Sequence, residues 1–154
     1  MTSSRSRRTT VTASAVLLGL TLVVVNLPAE VTGGHPQHKW NIPDSARTMK
    51  NPIAATTESL AKGKELFQAN CVMCHGEKGD GTGEMARSLD TKPSDLTDAT
   101  RMEAQTDGEL FYKISTGTNE MPEYGAILEK EEIWHLVNYV RSLVTKGRSN
   151  RSPR

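Results

Sequence analysis

Apolar residues in the last third of the chain recur with a helical period. Ile133, Leu136, Val137, Val140, Leu143 and Val144 fall at i, i+3, i+4, i+7, i+10 and i+11, which predicts one amphipathic helix over residues 129–145. Glu131 and Glu132 near its start and Arg141 and Lys146 near its end suit the helix dipole, and Gly147 is placed to close it. His135 falls off the apolar stripe, so a surface position is expected. Further upstream, Leu60, Gly63, Leu66 and Phe67 mark one face of a helix over Thr57–Asn70, with Thr56 or Thr57 as its cap. Thr106 and Glu109 form a capping box ahead of Leu110, Phe111 and Ile114, and Gly117 offers the C-cap. No stretch alternates with the two-residue period of a strand. The pattern predicts an all-α chain of about three to five helices.

The flanks read differently. Residues 1–10 are rich in Ser, Thr and Arg without an acid, and "VTASAVLLGLTLVVVNL" (Val11–Leu27) follows. A basic stretch before an apolar run is an export signal, or, left uncut, a membrane anchor within residues 1–30. Cleavage after Ala29 or Gly33 is the expected processing, and either outcome places the body on the extracytoplasmic, periplasmic side. Residues 31–57 carry Gly33–Gly34, Pro36, Pro43 and Pro52 without sustained periodicity, a linker or strap in which Trp40 packs on the body. Residues 146–154, "KGRSNRSPR", read as a basic disordered tail.

Charge separates the body from its ends. Residues 58–144 hold nine Lys/Arg against sixteen Asp/Glu, a net of −7, although the whole chain is formally +1. An acidic body argues against nucleic acid and for protein partners with a basic docking face. The chain has seven aromatic residues in 154, few for a core of its own, so a staple or a large cofactor is expected.

The only two cysteines lie in "NCVMCHGEKGDG" (Asn70–Gly81). A redox dithiol at this spacing wants a preceding strand, which is missing. A zinc site would need Cys71, Cys74, His75 and a remote histidine. C-x-x-C-H on an exported helical chain points instead to covalent haem, with Cys71 and Cys74 as thioethers and His75 under the iron. Gly79, Gly81 and Gly83 resemble a phosphate cradle only superficially, because no strand leads into them.

A second iron ligand decides between a carrier and an enzyme with an open site. The candidates are Met73, Met85, Met102, Met121, His35, His38 and His135. Met73 lies inside the attachment turn, and the two N-terminal histidines lie in the Pro-rich linker. Met121 is favoured: "STGTNEMPEYGAIL" is a Gly-bounded, Pro-stiffened loop with no helical stripe for a methionine to join. Met85 and Met102 remain open. The alternative is a haem enzyme with a labile sixth site, peroxidase-like or sulfur-oxidising.

Together, "GKELFQANCVMCHGEKGDGTG" (Gly63–Gly83), "MPEYG" (Met121–Gly125) and "EEIWHLVNYVRSL" (Glu131–Leu143) resemble a monohaem class I cytochrome c over residues 58–145. The resemblance implies a small helical fold around one haem c, whose terminal helices cross at Gly63, Phe67, Leu136 and Tyr139. It also implies His75 and Met121 as the iron ligands, with the carbonyl of Pro93 accepting the His75 Nδ1–H. It further implies one-electron transfer between respiratory or dehydrogenase complexes, without enzymatic turnover, as a soluble shuttle or an attached subunit. Two features depart from the pattern. Glu129 stands where a Ser or Asp would cap the last helix, and "WNIPDSARTMKNP" lies outside the basic fold. That segment resembles the leader of cytochromes held in larger membrane complexes.

Overall fold

Thr56 starts the first long helix: its hydroxyl accepts the Ser59 N–H, and the chain is helical from there to Asn70. The computed structural model describes residues 40–118 and 120–150, with side chains to residue 144. Among the described residues there are six α-helices, two 3₁₀ turns and no strand. The helices are α1 (Asp44–Thr48), α2 (Thr57–Asn70), α3 (Val72–His75), α4 (Ala99–Glu103), α5 (Asp107–Thr116) and α6 (Lys130–Asn150). The 3₁₀ turns are Glu84–Arg87 and Tyr124–Ala126. Six exceeds the predicted three to five because α1, α3 and α4 are single turns too short to show a period.

α2 and α6 form the main packing layer. Gly63 lets them meet backbone to side chain: a Cβ there would stand 2.1 Å from the His135 carbonyl oxygen and 2.8 Å from the Tyr139 Cβ. Around this contact Phe67 and Tyr139 lie with ring centroids 5.3 Å apart, and Leu136 and Val137 are fully buried. The four residues of the expected crossing therefore meet there. The whole predicted stripe of α6, from Ile133 to Val144, is buried in the same cluster.

α5 packs beside α6 by its apolar side, and Phe111 stacks on Trp134 at 4.2 Å. Its capping box is complete, with Thr106 N–H donating to Glu109 Oε2 at 2.7 Å and Glu109 N–H to Thr106 Oγ1 at 3.2 Å. Arg141 of α6 donates to the Met102 and Gln105 carbonyls and to Asp107, which ties α6 to the α4–α5 corner.

Two expectations need correction. His135 is buried, with Nδ1 2.9 Å from Ser59 Oγ, because Gly63 brings α2 down over that side of α6. α6 continues through Gly147 to Asn150, where a stop and a disordered tail are expected. A glycine inside a helix costs about 1 kcal/mol and ends it only when a left-handed cap forms. The start of α6 lacks a Ser or Asp, but Glu132 reaches back to accept the Glu129 N–H at 3.0 Å, half of a capping box.

The linker also carries more structure than its prolines suggest. α1 crosses the start of α5 at Gly108, where a Cβ would stand 2.0 Å from the Ala46 carbonyl oxygen. Arg47 pairs with the buried Glu109, and the Lys113 ammonium lies 5.6 Å from the Trp40 ring centroid. Farther on, Asn51 bonds the Trp134 carbonyl and Asn138, while Asn138 bonds the Ile53 carbonyl and Ser59. Residues 40–56 are a strap fastened by polar side chains. The predicted signal or anchor of residues 1–30, His35 and His38, and residues 151–154 lie outside the described residues.

Candidate haem site

The attachment turn is aimed by the core. Phe67, buried in the α2–α6 layer, presents its carbonyl to the Cys71 N–H at 2.8 Å. Cys71 ends α2 and caps α3, so Cys71, Cys74 and His75 share one turn, with His75 N–H bonded to the Cys71 carbonyl at 2.9 Å. Tyr124 holds the junction from the other side, donating its hydroxyl proton to the Asn70 carbonyl. Burial, and then the neighbouring Cys71 and Cys74, push the Tyr124 phenol up to about 12, so it stays a donor.

Next, the chain wraps the turn with glycines. Gly76, Gly79 and Gly81 have φ of 79°, 77° and 75°, values that cost other residues about 1–2 kcal/mol each. Gly81 N–H returns to the His75 carbonyl at 2.8 Å and Gly83 N–H to the Cys74 carbonyl at 3.2 Å. A Cβ on Gly81 would stand 2.4 Å from the Pro93 carbonyl oxygen, so the loop and the Lys92–Asp95 segment touch main chain to main chain. The Leu96 N–H to Gly79 carbonyl bond of 2.7 Å locks the same approach.

This approach corrects one expectation. His75 Nδ1 lies 3.1 Å from the carbonyl of Ser94, not of Pro93. Pro93 turns its own carbonyl onto Gly81, and the next carbonyl along faces the imidazole. A carbonyl only accepts, so Nδ1 carries the proton and Nε2 is left with its lone pair. Burial holds the His75 pKa below the ordinary histidine value, and the Ser94 bond opposes this less strongly. The neutral imidazole is the form that ligates a metal.

The candidate methionines separate by burial. Met73 and Met85 are 51% and 45% exposed, and Met102 is a core residue at 1%. Met121 is half-buried against the core. Its loop folds back on Gly117, with φ 60°, where a Cβ would stand 2.4 Å from the Met121 carbonyl oxygen. Thr118 N–H donates to that oxygen at 2.8 Å. Glu120, unremarked in the sequence, accepts the Asp90 N–H at 2.6 Å and the Thr91 N–H at 3.1 Å.

The donor set fits a covalent haem. Two free thiols and an imidazole whose Nε2 has no hydrogen-bond partner among the described residues occupy one helical turn. Burial, then Cys74, pushes the Cys71 thiol up to about 12, the reverse of the lowered pKa that a redox dithiol uses. Among the described residues, no group of three or more His, Cys, Asp or Glu side chains gathers to hold a metal ion. The cytochrome c family profile matches residues 60–144.

The chain belongs to the cytochrome c family. Its cofactor is accordingly one covalently bound haem c. The chain is similar to cytochrome c6 of Pyropia tenera, 33% identical over 88 residues, covering 57% of this chain and 96% of that one. It is similar also to the cbb3-type cytochrome c oxidase subunit FixP of Azorhizobium caulinodans, 31% identical over 104 residues. That match covers 67% of this cytochrome c chain but only 33% of the FixP subunit. Among solved structures, a chain of the Kuenenia stuttgartiensis reducing HAO-like protein complex Kustc0457/Kustc0458 aligns with TM-score 0.53 and 28% identity. It covers 60% of this chain and 47% of that one.

Proposed function

We propose that this chain is a one-electron carrier in which Cys71 and Cys74 hold the haem covalently and His75 and Met121 ligate its iron. The observation that carries the reading is the Ser94 carbonyl on His75 Nδ1, which fixes the tautomer and leaves Nε2 to the metal. Bound haem supplies a one-electron iron couple. The residues around it orient and exclude: Tyr124 and Phe67 fix the attachment turn, and the Gly76–Gly83 loop closes over it. Met121 is favoured by its loop position against the core, since Met102 is committed to the core, Met73 lies within the attachment turn and Met85 in the short turn that follows the glycine loop. A thioether stabilises the reduced iron more than a second imidazole, so the potential is comparatively positive.

The redox partners proposed are proteins with a basic face, drawn by the net charge of −7 over residues 58–144. Similarity to cytochrome c6 favours a shuttle, and similarity to an oxidase subunit favours attachment to a membrane complex. Both fit export to the periplasmic face through residues 1–30. Among the described residues no helix is long and apolar enough to cross a membrane, so membrane contact would rest on residues 11–27. Carrier function without turnover is the expectation, against a haem enzyme with a labile sixth site. Replacing Met121 by Ala in the matured protein tests the reading. The far-red sulfur-to-iron absorption of the ferric form is expected to vanish while haem staining of a denaturing gel persists. Retention of that band removes Met121 as ligand.

A further inference from the structure

Glu120 stands beside the proposed methionine ligand but reaches away from its own loop. Its carboxylate accepts the Asp90 N–H at 2.6 Å and the Thr91 N–H at 3.1 Å, thirty and twenty-nine residues earlier in the chain. The segment it grips continues into Pro93, whose carbonyl abuts Gly81, and Ser94, whose carbonyl accepts from His75 Nδ1. The same loop is also held from within. Thr118 N–H donates to the Met121 carbonyl at 2.8 Å, and Met121 N–H reaches Thr118 Oγ1 at a long 3.4 Å. Two main-chain donors on one carboxylate are charge-assisted bonds, stronger than neutral ones and directional. Besides its packing against the core, residue 121 is thus restrained from outside its own loop through the side chain next to it.

We propose that Glu120 is a positioning residue for iron ligation, clamping the Met121 loop to the Asp90–Ser94 segment that orients His75. This rests on the Met121 reading above and adds to it a mechanical link between the two ligands, one carboxylate joining the segments that aim them. A methionine sulfur is a weak, neutral ligand that external donors displace. Its hold on the metal therefore depends on how closely the loop is kept in place, and less on the strength of the bond itself. When the clamp is lost, the loop samples positions from which the sulfur does not reach, and an external ligand competes against a smaller ligated population.

The experiment uses the matured, haem-loaded full chain with Glu120→Ala and Glu120→Gln, read by the ferric far-red band and by imidazole titration. Glu120→Ala is expected to weaken the band and to bind imidazole about tenfold or more tightly than the unsubstituted protein. Glu120→Gln keeps an accepting oxygen without the charge and should fall between. Haem content and far-ultraviolet circular dichroism are expected to stay unchanged, which a general loss of structure would not allow. An unaltered band and imidazole affinity in Glu120→Ala overturn the clamp. Should Ala not mature, the same two readouts in Glu120→Gln decide. Failure of the ligand reading shows separately, as a band that survives Met121→Ala whatever the Glu120 variants do.

Discussion

The α2–α6 crossing and the two loops of the candidate haem site are built from opposite materials. At the crossing, apolar side chains do the work: Phe67, Ile133, Leu136 and Val137 are each at most 1% exposed. In the loops, main chain meets main chain. Gly81 lies against the Pro93 carbonyl, Gly117 against that of Met121, and Leu96 N–H bonds to Gly79. Burial in the first region is non-directional and sums over many contacts, so it supplies stability. Hydrogen bonds and glycine conformations in the second are directional and add little net free energy each, but they place an imidazole and a thioether. Stability and placement of the proposed ligands, His75 and Met121, therefore fall to different parts of a small protein.

Substitutions at matched glycines break that comparison most directly. Gly63→Val would thrust a branched side chain at the His135 carbonyl, 2.1 Å from where a Cβ begins. The unfolding free energy is expected to fall by about 3 kcal/mol or more, since α6 backbone cannot yield as a side-chain end can. Denaturant titration of the matured protein reads it, and an unchanged midpoint would refute the close crossing. Gly81→Ala adds a methyl at φ 75° facing the Pro93 carbonyl. Its expected cost is smaller, about 1–3 kcal/mol, but the disturbed segment includes Ser94. The far-red band or the midpoint potential should then shift more than the stability does. If stability alone changes, the division between the two regions is wrong.

The strap sharpens the comparison at a smaller scale. Asn138 bonds Ser59, the Ile53 carbonyl and Asn51, so Asn138→Ala removes a shared partner in a mostly buried cluster. A loss of about 1–2 kcal/mol is expected, together with faster limited proteolysis within residues 40–56. Intact-mass mapping of the first cleavage checks this. First cuts elsewhere, at an unchanged rate, would mean that the strap is held without Asn138, through α1, Arg47 and the Asn51 bond to Trp134.

The three long helices and most of their caps follow from local sequence, whereas the single-turn α1, α3 and α4 carry no period and α6 runs past its expected close at Gly147. Thr56, the Thr106–Glu109 box, Gly117 and the buried stripe from Ile133 to Val144 all behave as their local chemistry requires. His135 defied its place off the stripe because burial there comes from a glycine seventy-two residues earlier, which no helical wheel contains. Pro93 was one residue from the true acceptor, and Glu120 gave no signal beyond being an acid before a methionine.

From its sequence alone the chain determined an all-helical body, a C-x-x-C-H turn on the end of a helix, and a methionine in a glycine-bounded loop. These follow from side-chain type and spacing, which act over a turn or two. Only the tertiary structure decided that Ser94 faces His75, that the strap docks through Asn51 and Arg47, and that Glu120 spans two loops. Every residue carries the same carbonyl, and every non-proline residue the same N–H. Which of them meets a given side chain depends on how distant segments approach, and local pattern does not encode that approach.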